Sequence, residues 1–262
     1  MNIHLFATDI SALVLADRLP KEDSIAALIL PENRRQTAKV QELMASSRWP
    51  YYFHARNTGL PANLPHAAAG VAWLYSQILR PEDLSRYKSG ILNMHGGKIP
   101  TYRGANVLQW AIINGETELG ITWHEMAPEV DSGPIWHETS IQIPQTATAS
   151  DLRGGMIAAG IDSFEVAWRR FRERRITPRY PDLSAGRVWP PRRPRDGRIS
   201  SGLSQLALRN LVRALGAPWP PAFVEIDGRE VPVAKIELNS GPGYLPYKCV
   251  DGTIVFLVPI GK

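Results

Sequence analysis

Hydrophobic and polar positions change period repeatedly along the chain. Alternation at Ile3, Leu5 and Ala7 predicts a strand over 1–7. Leu13, Leu15 and Ala16 follow at helical spacing, and Ser24 to Leu30 is an apolar run ended by Pro31, as in a buried strand. A helix with a polar outer face is predicted over 37–46, and short strands at 50–53 and 71–75. A short helix over 82–87 then leads into the apolar run Gly90-Ile91-Leu92 and Asn93-Met94-His95. Beyond a turn-rich stretch, 96–104, the pattern predicts a helix over 106–114 and strands at 120–124, 135–138 and 139–143. Residues 146–175 read as one long helix or two, opened by a cap-like Ser150-Asp151. Strands alternating with helices imply an α/β fold with a mostly parallel sheet and crossover helices.

The composition shifts after residue 176. Pro178, Pro181, Pro190, Pro191 and Pro194 stand among arginines, a linker composition. A second unit follows, with an amphipathic helix over 204–215 (Leu206, Leu208, Leu211, Val212 and Leu215 on one side). Short strands at 223–226, 230–236 and 253–258 are turned at Asp227-Gly228 and Asp251-Gly252. The expected organisation is a first domain over 1–176, a Pro/Arg-rich linker over 177–198 and a small β-rich domain over 199–262.

Charge changes this picture in one place. The 262-residue chain carries a net +5, yet eleven Arg between Arg169 and Arg198 stand against Glu173, Asp182 and Asp196, so the remainder is about −3 by the same count. Such a stretch can meet nucleic acid, a nucleotide diphosphate or only water. An apolar content of 44% is ordinary for a globular protein, and no apolar run is long enough for a membrane span. The N-terminus has neither a basic lead nor a small-residue cleavage site, and the single Cys249 suits a reducing compartment, so a cytoplasmic location is expected. No Cys/His spacing calls for a metal. His4, His54 and His66 are read as structural or surface residues, and His124 and His137 as structural rather than catalytic.

The candidate chemistry sits at 93–131. On a strand, Asn93 and His95 point to the same side. With a carboxylate such as Asp131 on a later loop, the amide can donate to an oxyanion, the imidazole can carry a proton, and the carboxylate can orient and charge-stabilise the ring. The plain alternative is a turn-capping Asn, a satisfied core His and a turn Asp.

Asn93-x-His95, Pro100-x-Tyr102-Arg103-Gly104, Trp110-Ala111, Asn114-Gly115-Glu116, Gly120-x-Thr122 and Asp131-x-Gly133-Pro134 occur in this order. The series resembles the folate-dependent formyltransferases, which include the methionyl-tRNA and sugar N-formyltransferases. The resemblance implies a Rossmann-like formyltransferase fold, with Arg213 to Phe223 opening a shortened C-terminal barrel. It implies N10-formyltetrahydrofolate as formyl donor, no metal, and catalytic roles for Asn93, His95 and Asp131. Asp131 is then expected to raise the pKa of His95. The segment Tyr75 to Pro81 implies folate contacts from Gln77, Ile78 and Leu79, together with Val130. Acceptor contacts are implied for Gly97, Lys98, Tyr102 and Arg103, the last also a candidate loop anchor. Gly97 and Lys98 depart from the family's usual Ser and apolar residue. No Gly-x-Gly-x-x-Gly follows the first strand, where Phe6-Ala7-Thr8 is similar to the family's Phe-Gly-Thr, so a dinucleotide site is not expected.

The junction Arg192-Arg193-Pro194-x-Asp196-Gly197-x-Ile199 is more similar to amino-sugar formyltransferases than to the tRNA enzymes. The expected acceptor is a nucleotide-linked 4-amino-4-deoxy sugar such as GDP-perosamine, for lipopolysaccharide O-antigen. Charged initiator tRNA is the alternative, followed by hydrolysis of the donor. A non-catalytic RNA-binding protein using the arginine-rich stretch is the reading from a different class. An oligomer is compatible with any of these.

Overall fold

The computed structural model describes residues 1–261. In chain order its first elements are β1 (Asn2–Ala7), α1 (Ser11–Ala16), β2 (Ser24–Pro31), α2 (Ala38–Ser46), β3 (Tyr51–His54) and β4 (Ala69–Trp73). Next come α3 (Pro81–Leu84), β5 (Ile91–His95), β6 (Tyr102–Gly104), α4 (Val107–Ile113), β7 (Glu118–Glu125), β8 (Ile135–Gln142) and α5 (Ala149–Glu173). Seven strands form one sheet in the order β3-β2-β1-β4-β5-β7-β8. The first five run parallel, whereas β7 lies antiparallel to β5.

Contacts divide the chain into two compact units. The first holds Met1–Arg103, Gly120–Ser140 and Ile157–Arg187; the second holds Gly104–Leu119, Ile141–Met156 and the chain from Val188 onward.

In the first unit the sheet is covered by aromatic residues. Trp73 and Trp123 stack with ring centroids 5.9 Å apart, and Phe164 of α5 lies 5.3 Å from Trp123. Three buried indoles find a partner: Trp73 donates to Ser11, Trp123 to Ser163 and Trp168 to Asp23. Close approach of α5 depends on Gly160, where a Cβ would stand 2.8 Å from Met94 Cε and 2.9 Å from Trp73. On β5, Leu92 and Met94 face one side of the sheet, which leaves Ile91, Asn93 and His95 for the other.

Helix α5 is single, and its start differs from the expected one. Thr148 Oγ1 accepts from Asp151 N, and the Asp151 carboxylate accepts from Thr148 N and Oγ1, a reciprocal cap centred two residues before Ser150. Strand β4 ends at Trp73, because Leu74 turns into the left-handed region (φ 51°), so Tyr75 lies beyond it.

Strand β9 (Arg187–Trp189) and β6 form a two-stranded sheet, and the second unit then holds α6 (Gln205–Ala214), β10 (Phe223–Ile226), β11 (Arg229–Glu237), β12 (Leu245–Lys248) and β13 (Ile254–Pro259). The last four form a curled antiparallel half-barrel in the order β10-β11-β13-β12. Its core holds Ile199, Leu208, Val212, Ala222, Val233, Cys249, Val255 and Leu257. Leu206, expected on the apolar side of α6, is instead 64% exposed. The proline- and arginine-rich stretch is partly built in. Trp189 is buried 4.9 Å from Trp110 of α4, Arg192 lies over the Trp110 ring, and Arg192 N donates to Asn106. Among the described residues, no helix is long and apolar enough to cross a membrane.

Candidate active site

Register builds the site. Across the β5–β7 ladder, Asn93 pairs with His124 and His95 with Thr122. Both pairs share one face of the sheet, so an amide, two imidazoles and a hydroxyl converge at the carboxyl end of β5. All four residues are buried. The loop after β7 brings in Asp131, a non-glycine residue at φ 48°, a conformation that Asp tolerates better than most.

Asp131 stands between the two rings. Its Oδ2 is 3.4 Å from His95 Nδ1 and its Oδ1 is 3.4 Å from His124 Nε2. Asn93 Nδ2 is 3.0 Å from His124 Nε2, and His124 Nδ1 is 3.0 Å from Glu125 O. With Nδ1–H donating to that carbonyl, Nε2 faces both the Asn93 amide and Asp131 Oδ1. His95 Nε2 lies 2.5 Å from Tyr102 O. His124, expected to be structural, is placed by the ladder against two of the three candidate catalytic residues, Asn93 and Asp131.

Burial holds the His95 pKa below the ordinary histidine value. The Asp131 charge and the Tyr102 carbonyl oppose this, and His124 adds to it. Asp131 does raise the His95 pKa, as expected, but burial outweighs it.

The loop after His95 is fastened from below. Thr122 Oγ1 donates to Gly97 O at 2.7 Å and accepts from Ile99 N at 3.4 Å. A Cβ at Gly97 would stand 2.6 Å from Tyr102 O and 2.8 Å from His95 Nε2, so glycine permits the His95–Tyr102 contact. Arg103 is buried, with Nη1 2.8 Å from Glu129 Oε1 and 3.4 Å from Val130 O. It thereby pins the loop that presents Asp131. Tyr102 is buried and Lys98 exposed.

The residues expected to meet the donor divide in two. Ile78 is 72% exposed and Val130 39% exposed, leaving apolar surface for a flat ring. Leu79 packs in a core cluster with Phe6 and Tyr87, and the buried Gln77 donates to Asn33. Of the four, Ile78 and Val130 have the surface a pteridine would cover. Among the described residues, no group of three or more His, Cys, Asp or Glu side chains is arranged to hold a metal ion.

Residues 31–159 match the formyl transferase family. A methionyl-tRNA formyltransferase of Chloroflexus aurantiacus is 33% identical over 186 residues, which is 71% of this chain and 58% of that protein. The chain thus spans less than two thirds of the length of the curated relative it matches. Among solved structures, the sugar 3N-formyl transferase WlaRD, determined with dTDP and 5-N-formyl-THF, superposes with a TM-score of 0.75 at 15% identity. That match covers 100% of this chain and 98% of WlaRD. An N-formyltransferase from Helicobacter canadensis, in complex with folinic acid and dTDP-3-aminofucose, gives a TM-score of 0.74 at 15% identity and covers 98% of each chain. At these identities the structural likeness is one of fold.

Proposed function

Since the chain belongs to the folate-dependent formyltransferase family, we propose that it transfers a formyl group from N10-formyltetrahydrofolate to the primary amine of a nucleotide-linked amino sugar. The observation that carries the transfer is the convergence of buried Asn93 and His95 with the partly buried Asp131 at the end of β5. A neutral amine attacks the formyl carbon, and the tetrahedral intermediate places negative charge on the formyl oxygen. Asn93 uses one amide N–H on His124 and has the second for that oxygen, a donor typically worth about 3–4 kcal/mol of barrier. His95, its pKa lowered by burial, is suited to take the proton released by the attacking nitrogen at Nε2, once the amine displaces the Tyr102 carbonyl there, and to pass it to the departing N10, while Asp131 at Nδ1 stabilises the transient imidazolium. Ile78 and Val130 offer the apolar wall for the donor's ring system.

The acceptor assignment is supported by the two sugar-related structures, each of which spans nearly the whole of this chain and was determined with a dTDP-containing ligand. A 4-amino-4-deoxy sugar such as GDP-perosamine, destined for lipopolysaccharide O-antigen, is the candidate acceptor, and a cytoplasmic location suits both substrates. The identity to a methionyl-tRNA formyltransferase favours a second reading, with charged initiator tRNA as acceptor.

The test is a formyl-transfer assay with N10-formyltetrahydrofolate, a panel of nucleotide amino sugars and charged initiator tRNA. Turnover on a sugar and none on tRNA supports the first reading. Turnover on tRNA alone replaces it with the second. Donor hydrolysis with neither acceptor overturns both.

A further inference from the structure

The second compact unit contains a cavity of about 560 Å³, walled by residues 145–150, by the carboxyl half of α6 with the turn after it, and by β11 at 234–236. Arg209 and Arg213 line it one helical turn apart, with Lys235 on the strand side and Val212, Leu215 and Ile236 supplying apolar wall. The volume lies within the usual range for a small-molecule site.

Among the described residues, the two guanidinium groups there have no carboxylate partner. Arg213 is committed to neutral acceptors: Nη1 donates to Ala147 O at 2.8 Å and Pro144 O at 3.3 Å, and Nε to Asn210 Oδ1 at 3.0 Å. Those bonds strap the loop that forms one wall. Arg209 makes no hydrogen bond or ion pair among the described residues. Positive charges spaced i, i+4 on a helix repel, and burial, with the neighbouring Arg209 adding to it, draws the Arg213 pKa down. No carboxylate lines the cavity. The two nearest in sequence are engaged: Glu237 with Lys235 at 2.6 Å, and Asp151 with Thr148 N and Oγ1.

Two guanidinium groups with no acid beside an apolar wall form a site for an anion that carries a flat or apolar body. Guanidinium forks match phosphoryl oxygens geometrically. We propose that this cavity binds a small phosphorylated ligand of the nucleoside-phosphate class, with the phosphate on Arg209 and Arg213 and the nucleoside against Val212, Leu215 and Ile236. The proposal is independent of the formyl acceptor, since no residue of the cavity belongs to the Asn93–His95–Asp131 site.

Hydrogen–deuterium exchange on the full chain, with GDP, dTDP and inorganic pyrophosphate at millimolar concentration and separately with a short RNA hairpin, tests it. Nucleoside diphosphate is expected to slow exchange at 145–150 and 209–216. Arg209→Glu is expected to weaken that protection about tenfold or more, with Arg209→Gln intermediate. Both variants should keep the unfolding midpoint, because Arg209 bonds nothing in the fold. Pyrophosphate alone is expected to protect 209–216 more weakly. Protection unchanged in Arg209→Gln, or none from any nucleoside phosphate, overturns the proposal. Protection by the RNA hairpin alone also overturns it, and assigns the cavity to a nucleic-acid surface.

Discussion

Asn93 and His124 face one another across the β5–β7 ladder, with Nδ2 3.0 Å from Nε2. Because His124 Nδ1 is taken by Glu125 O, the ring has one acceptor to offer, and it fixes which way the Asn93 amide points. His124→Phe keeps the bulk and removes that acceptor. The expected result is a fall in kcat of roughly ten- to a hundredfold with little change in KM, the usual cost of a misplaced reacting group. Steady-state kinetics with a saturating amine acceptor check this, and an unchanged kcat would make His124 a packing residue.

His95→Ala and Asp131→Asn are expected to lower formyl transfer by roughly 10³-fold or more, by analogy with loss of the orienting carboxylate in other His–Asp pairs. Asn tolerates the left-handed backbone at position 131, so Asp131→Asn tests charge rather than fold. Thermal unfolding near the wild-type midpoint, combined with the activity loss, is the expected pair of readings. Near-normal turnover in both variants would remove the proposed mechanism.

Gly97→Ala brings a methyl within 2.6 Å of Tyr102 O and 2.8 Å of His95 Nε2. The loop is stapled to Thr122 and cannot retreat freely, so a destabilisation of about 1–3 kcal/mol is expected, with activity reduced as His95 shifts. Urea denaturation measures the first and the transfer assay the second.

Acid should destabilise the protein through its buried histidines. Burial brings the His4 pKa to about 4, and it also lowers that of His95. The unfolded chain takes up these protons near the ordinary value of 6.5 and the folded chain resists. The stabilising contribution is therefore complete above pH 6.5 and declines as pH falls through the folded values. Unfolding midpoints measured from pH 7.5 to 4 are expected to fall. His4→Gln, which leaves a partner for the Tyr87 hydroxyl now 2.8 Å from His4 Nδ1, should reduce the slope by up to about one proton. A slope unaltered by this substitution would show that His4 does not titrate in that window.

Much of the site could be read from local pattern. Alternation within a single strand was enough to place Asn93 and His95 together, and the structure keeps them on one face of β5. What could not be read locally was register. Nothing within β7 indicates that His124 pairs with Asn93 rather than with Leu92 or Met94, and a shift of one residue would turn it to the opposite face. The Thr148–Asp151 cap is legible as Thr-x-x-Asp, two residues before the Ser150-Asp151 pair that local composition favours. Strand β12 contains Pro246 and is short, which suits its place at the edge of the half-barrel and hid it from a periodicity reading. Leu206 fits the helical stripe of α6, yet the stripe is wider than the surface it covers.

The partition of the chain has a practical side. Its backbone passes between the two compact units five times, at 103/104, 119/120, 140/141, 156/157 and 187/188. The units are braided rather than strung in series, and no single cut releases either of them. A fragment beginning after residue 198 would leave α6 without α4, against which it packs. A chimera meant to graft the second unit of one relative onto the first unit of another therefore has to transplant 104–119 and 141–156 along with the C-terminal segment.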